Sequence, residues 1–262
     1  MTTGSPGITA FFPCYDDAPT IGGLVERVAG VLEELGIDYE VIVVDDGSSD
    51  DSVARLRSLQ ERVPRLRIVE HGTNRGYGGA LLSGFAHATR EWVFYTDGDG
   101  QYDPAEIRGM IACMGDDVDI VQGWKMRRND PWPRRLIGRL YHHGVRLLFA
   151  LPVRDTDCDF RLIRRSLVER VHLEHSSGVI CVEMLRKFGT AGARFVEVPV
   201  HHYPRMHGRS QFFRFSRVAR SLGDLAGLWI SLVLLGGGTR GPALEASGSD
   251  RPGGEGPRTG AG

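Results

Sequence analysis

Tyr39-Glu40-Val41-Ile42-Val43-Val44-Asp45-Asp46-Gly47-Ser48-Ser49-Asp50 is the stretch on which the reading of the fold turns. Its β-rich run is continuous rather than alternating, as expected of a strand buried on both faces of a parallel sheet. It ends in Asp, Gly and Ser, where Ser49 or Asp50 can cap a helix that runs to Val63 and stops at Pro64. The same order of strand, polar loop and helix recurs on both sides. Upstream, Ile8 to Cys14 is an apolar strand ended by Pro13 and the polar Tyr15-Asp16-Asp17. Apolar residues then recur at helical spacing from Ile21 to Leu35, and Gly36 is a stop. Downstream, Leu66 to Glu70 is a strand, Asn74 to Gly79 leads into a helix, and Trp92 to Thr96 is a fourth strand. Pro104 opens a further helix and Val118 to Gly123 is a fifth strand. Such alternation predicts an α/β fold with a right-handed, mostly parallel sheet. Ligands of such sheets sit at the carboxyl ends of the strands, where every polar cluster named so far falls.

The fourth strand ends in Thr96-Asp97-Gly98-Asp99-Gly100-Gln101-Tyr102-Asp103. Two carboxylates one residue apart can reach one cation. With the Gln101 carboxamide they form a hard, incomplete oxygen set, suited to Mg²⁺ or Mn²⁺ that completes its shell with phosphates and water. Asp and Gly are also the commonest turn formers, and the neighbouring clusters decide for the metal. Asp45 and Asp46 close the second strand beside Pro13, Tyr15 and Asp17. A carboxylate there can accept the imide hydrogen of uracil or the N–H groups of guanine, and Tyr15 offers a ring to stack on. Helix capping accounts for Ser48, Ser49 and Asp50 but less well for the paired aspartates. Asn74 to Gly79 reads as a tight turn into a helix; a dinucleotide fingerprint would directly follow the first strand.

Beyond Gly123 the alternation breaks down. Pro131 to Leu151 reads as a basic helix, Asp155 to Arg165 as a loop feeding a short strand, and Gly178 to Phe188 as a helix carrying Glu183. Phe195 to Tyr203 reads as a strand, Pro204 to Ser210 as a basic loop, and Phe215 to Leu235 as an amphipathic-to-apolar helix. Residues 1–7 and the Gly- and Pro-rich 236–262 read as disordered ends. At 262 residues and 41% hydrophobic content one domain with a sizeable core is expected. A net charge of −1 gives no global field for nucleic acid. The local basic run from Lys125 to Arg146 wants an anionic partner. Four cysteines without CxxC spacing imply buried thiols in a reducing compartment. No signal peptide is visible, and Leu225 to Leu235 is shorter than the roughly 20 residues a span needs. A cytosolic protein is the expectation.

Pro13-x-Tyr15-Asp16-Asp17, Val43-Val44-Asp45-Asp46-Gly47-Ser48-Ser49-Asp50, Asn74-Arg75-Gly76 and Asp97-Gly98-Asp99-Gly100-Gln101 occur in the order seen in the family 2 inverting glycosyltransferases. Within that family the chain resembles the dolichyl-phosphate mannose synthase and polyprenyl-phosphate glycosyltransferase branch, through Asp155-Thr156-Asp157-Cys158-x-Phe160-Arg161 and Pro204-Arg205-x-x-Gly208-Arg209-Ser210. The resemblance implies the nucleotide-diphospho-sugar transferase (GT-A) fold, with a catalytic domain over residues 8–214. It implies that Pro13, Tyr15, Asp17 and Asp46 contact the nucleoside and that Asp97, Asp99 and Gln101 hold the metal. Lys125 or Arg127, Arg161, Arg205 and Arg209, with Ser210, would bind phosphates. Asp16-Asp17 replaces the usual Asn-Glu, and Asp159 stands where glycine is common.

The implied reaction moves a hexose, with inversion, from a UDP- or GDP-sugar to a polyprenyl phosphate at the cytosolic membrane face. A lipid phosphate is already an anionic nucleophile; a hydroxyl acceptor would need a base, for which Asp157 and Glu183 are candidates. The rivals are transfer to a soluble hydroxyl and a non-catalytic nucleotide-sugar-binding subunit. The basic helix and Leu225 to Leu235 suit peripheral contact with a membrane.

Overall fold

The structure, a computed structural model, describes residues 6–126, 143–205 and 215–236. Among them seven strands form one sheet: β1 (Ile8–Cys14), β2 (Tyr39–Asp45), β3 (Leu66–Glu70), β4 (Trp92–Thr96), β5 (Ile120–Lys125), β6 (Phe160–Arg164) and β7 (Phe195–Val200). Their order is β3-β2-β1-β4-β6-β5-β7. β6 runs antiparallel to both its neighbours and every other pairing is parallel. The helices are α1 (Ile21–Glu34), α2 (Ser52–Gln60), α3 (Tyr77–His87), α4 (Ile107–Ile111), α5 (143–148), α6 (Arg165–Arg170), α7 (Ile180–Thr190) and α8 (Phe215–Trp229).

The continuous apolar strands are explained by what covers them. Ala10, Phe12, Val41, Val43, Trp92 and Phe94 face α1 and α2, whose Leu24, Val28, Leu32, Leu56 and Leu59 join them in one cluster. The intervening Phe11, Ile42, Val44, Val93 and Tyr95 face the opposite side, against Leu81 and Phe85 of α3 and Met184 and Phe188 of α7. With helices on both faces, neither parity of residue is left for water. Phe11 stacks on Tyr95 with centroids 5.3 Å apart and meets Phe85 edge-on at 5.2 Å. Gly84 is what lets α3 approach, since a Cβ there would lie 2.4 Å from the Phe11 ring. Truncating such a ring to alanine costs about 3–5 kcal/mol.

The later chain departs from the sequence reading in detail. β5 begins two residues late, because Asp119 is taken by Arg194, whose Nε donates to its carboxylate at 3.0 Å. β7 stops at Val200, and its Pro199 is tolerated because β7 is an edge strand. α6 carries no signal that the sequence reading used. α5, α7 and α8 build a separate cluster around Val145, Phe149, Leu185, Leu225 and Leu228. The expected basic helix lies outside the described residues except for α5, as do the basic loop beyond Arg205 and the tail from 237.

Candidate active site

β1, β2 and β4 end side by side, which gathers their loops at the carboxyl edge of the sheet. The first two loops are stitched together by Asp16. Its φ of 56° is in the left-handed region, which Asp tolerates when its short side chain bonds locally. Its carboxylate accepts from the Ser49 N–H at 2.7 Å, and its own N–H donates to Ser48 Oγ at 3.0 Å. The Ala18 N–H adds a bond to Asp50 Oδ2 at 3.0 Å. Tyr15, 41% exposed, and Asp17 are thereby held beside the 45–50 loop. Burial, opposed by the Tyr15 N–H and reinforced by the Asp99 carboxylate, pushes the Asp17 carboxyl up to about 6.

The paired aspartates at the end of β2 diverge in their partners. Asp46 Oδ1 meets His71 Nδ1 at 2.7 Å and accepts from the Arg75 N–H at 2.8 Å, while Oδ2 accepts from the Gly76 N–H at 2.9 Å. Those partners fix the 74–76 turn and leave Oδ2 with one bond of the two it can accept. Asp45 Oδ2 accepts from the Gly47 and Ser48 N–H groups, both at 3.2 Å, but its buried Oδ1 has no hydrogen-bond partner among the described residues. At the neighbouring end of β4 the buried Thr96 hydroxyl is likewise without a partner among the described residues.

Asp97 and Asp99 follow β4 on one loop. The Tyr77 hydroxyl donates to Asp97 Oδ1 at 2.8 Å. Burial, then the Asp159 and Asp99 carboxylates, push Asp97 well above the usual carboxylate range; the same burial keeps Tyr77 a protonated donor. Asp99, 7% exposed, accepts from the Gln101 N–H at 2.9 Å and forms an ion pair with Arg205 through Oδ2. Gln101 is tied to Tyr203 by its side-chain Nε2, at 3.1 Å from the carbonyl, and by its own carbonyl, which accepts the Tyr203 N–H at 2.8 Å. That pairing carries Arg205 to the acidic loop. Close packing reinforces it: a Cβ at Gly98 would meet the Pro13 carbonyl at 2.7 Å.

Lys125, at the end of β5, donates from Nζ to the Asp157 carbonyl at 2.6 Å, and its N–H donates to Asp155 Oδ2 at 3.2 Å. Asp157 accepts from Thr156 Oγ1 at 3.3 Å and pairs with no cation among the described residues. Arg161 is a correction to the sequence reading. It is 0% exposed and lies on β6 opposite Tyr95 and Gln122. Its guanidinium donates to Gln122 Oε1 at 2.7 Å, the Thr156 carbonyl at 2.9 Å, Asp159 at 2.9 Å and the Tyr95 hydroxyl. It braces the sheet and presents nothing to a phosphate.

Glu183 is a second correction. It is 0% exposed, with Lys187 Nζ at 2.7 Å and His175 Nδ1 at 3.1 Å, and it accepts from the Glu174 and His175 N–H groups at 3.1 and 3.0 Å. Burial opposes ionisation, but the His175 and Lys187 partners win and hold the carboxyl down at about 2. A group so weakly basic is unsuited to taking a proton. Arg127, Arg209 and Ser210 lie outside the described residues. Tyr77, His71 and the electrostatic part played by Asp159 escaped the sequence reading. Only the unusual Asp159 gave a local signal.

Residues 9–171 match the family model described as Glycosyl transferase family 2. The chain belongs to glycosyltransferase family 2. Among curated proteins of this kind it is 30% identical over 220 residues to the undecaprenyl-phosphate 4-deoxy-4-formamido-L-arabinose transferase of Enterobacter sp. (strain 638), covering 83% of this chain and 66% of that protein's length. Among solved structures, glucosyl-3-phosphoglycerate synthase from Mycobacterium tuberculosis in complex with UDP superposes with a TM-score of 0.65 at 17% identity, over 86% of this chain and 80% of that one. Mannosyltransferase PcManGT from Pyrobaculum calidifontis, in complex with GDP-Man and Mn²⁺, does so with 0.62 at 23% identity, over 86% and 64%. These likenesses identify the GT-A fold of family 2.

Proposed function

We propose that this family 2 chain is a metal-dependent inverting transferase that moves a hexose from a UDP- or GDP-sugar to a polyprenyl phosphate. The observation that carries this reading is the pair Asp97, half-buried, and Asp99, buried, on one loop at the edge where β1, β2 and β4 end, with Asp159 adding a third carboxylate nearby. Arg205 pairs with Asp99 and Arg161 with Asp159, while Asp97 has no ion-pair partner among the described residues; that remaining charge fits a hard divalent ion. Among the described residues no three His, Cys, Asp or Glu side chains form a ready-made metal cage, which suits an ion whose shell phosphates and water complete. Asp97 and Asp99 would hold Mg²⁺ or Mn²⁺, which when bound neutralises charge on the departing diphosphate.

The chain's own residues supply the rest. Tyr15 offers a face for the base, and Asp17, with Asp45 and Asp46 at the end of β2, offers carboxylates toward its N–H groups and ribose. Arg205 and Lys125 place positive charge where the leaving group becomes more negative. A lipid phosphate arrives as an anion and needs no base. Arg205, already drawn to Asp99, is positioned to meet it or the donor phosphates. The second reading, transfer to a hydroxyl, rests on Asp157, the candidate base that no ion pair holds among the described residues.

The acceptor reading draws support from the surface of α5 and α8. Leu147 and Leu148 of α5, Leu222 of α8, and Leu234 and Leu235 beyond the end of α8 are exposed there, and Trp229 Nε1 ties the two helices through the Leu148 carbonyl at 3.0 Å. No helix among the described residues is long and apolar enough to cross a membrane. The patch is of the kind that lies on an interface. The test is incubation with Mn²⁺, radiolabelled UDP- and GDP-sugars and a polyprenyl phosphate, followed by organic extraction. EDTA-sensitive label in the organic phase supports the proposal. Released nucleoside diphosphate without extractable label sinks the lipid acceptor and leaves the hydroxyl one.

A further inference from the structure

Tyr77 opens α3 directly after Gly76, whose φ is +84°. Its hydroxyl reaches across to Asp97 Oδ1 at 2.8 Å and is the side-chain donor that the described residues give this carboxylate. The start of α3 is clamped from both sides. On one side the Gly76 N–H is held by Asp46 at 2.9 Å. On the other the Gly78 N–H donates to the Ser176 carbonyl at 2.8 Å, and a Cβ at Gly78 would lie 2.2 Å from the His175 carbonyl. The 174–176 segment is itself pinned by Glu183, which takes two of its backbone N–H groups. The hydroxyl therefore approaches Asp97 from a fixed direction.

We propose that Tyr77 is a positioning residue: by holding one oxygen of Asp97 it aims the carboxylate at the divalent cation, a role that rests on the metal reading given above. Carboxylates that ligate metals are themselves hydrogen-bonded, and removing such a partner typically costs about 10–100-fold in metal affinity or activity. The competing view is that Tyr77 only fills space, since its ring packs beside Leu81 and Phe85. Tyr77→Phe separates the two views because it keeps the ring and deletes the hydroxyl.

The experiment is an equilibrium Mn²⁺ titration read by the electron paramagnetic resonance of free Mn²⁺, with UDP or GDP present, on wild type, Tyr77→Phe and Asp97→Asn. No turnover or acceptor is involved. Tyr77→Phe should bind Mn²⁺ about tenfold or more weakly, with an unchanged melting temperature, and Asp97→Asn should lose the site. In turnover the Mn²⁺ concentration for half-maximal rate should move by the same factor, while the rate at saturating Mn²⁺ recovers. Equal Mn²⁺ affinity in wild type and Tyr77→Phe overturns the positioning role and leaves the metal reading standing. A wild type that binds no Mn²⁺ with either nucleotide overturns both.

Discussion

Asp97 is bonded to the first residue of α3 and Glu183 to the 174–176 loop that clamps it, yet their surroundings treat the two acids oppositely. Glu183 is met by Lys187, His175 and two backbone N–H groups, and its carboxyl is held at about 2. Asp97 has one hydroxyl donor, and burial, then the facing Asp159 and Asp99 carboxylates, push its carboxyl well above the ordinary range. A compensated buried charge supports structure. An uncompensated one costs stability and persists where something else, such as a cation or a phosphate-bearing ligand, completes it.

The comparison can be broken most sharply at Asp99. Asp99→Asn should lower metal-dependent turnover by roughly 10²-fold or more while the fold stays intact, because the relief of like charge beside Asp97 offsets the lost Arg205 pair. Retained turnover at saturating Mn²⁺ would refute the metal assignment. Glu183→Ala should do the reverse. It leaves the buried Lys187 with only the His172 carbonyl and the exposed Glu174 and should cost up to about 3–5 kcal/mol, seen as a lower denaturation midpoint. A midpoint within experimental scatter of wild type would mean that the cluster carries no weight.

Acid sharpens the same contrast. Because the Glu183 carboxyl is depressed from 4.5 to about 2, its contribution is fully present above pH 4.5 and is lost as pH falls toward 2. Wild type should therefore lose stability over that window, and Glu183→Gln should show a shallower acid limb in pH-dependent denaturation. His175 works with the opposite sign. Its pKa is raised above 6.5, chiefly by Glu183, so its contribution is present below pH 6.5 and fades as pH climbs past the raised value. The smallest expected effect is at Asp157. With a lipid-phosphate acceptor, Asp157→Ala should change kcat by no more than a few-fold, whereas removal of a general base costs about 10²–10⁴-fold. A loss of that size would transfer the argument to a hydroxyl acceptor.

Much of the site was legible in the chain order alone. Three apolar runs ending in Tyr15-Asp16-Asp17, Asp45-Asp46 and Asp97-Gly98-Asp99 point to one sheet edge, because strands of a parallel sheet all end on the same side. The second half was harder to read. β6 enters antiparallel between β4 and β5, a placement that nothing in Phe160 to Arg164 announces, and it is this register that buries Arg161 against Tyr95 and Gln122.

The sequence by itself determined the alternating α/β architecture, the family and the acidic loops, since strand burial, helix periodicity and motif order are local properties of the chain. Tertiary structure alone decided which acids are compensated. Asp46 is bonded by residues 25 to 30 positions away, and Asp99 is met by Arg205 from 106 positions away. Hydrogen bonds and charge act through space, so neighbours along the chain could not separate Asp45 from Asp46, or Asp97 from Glu183.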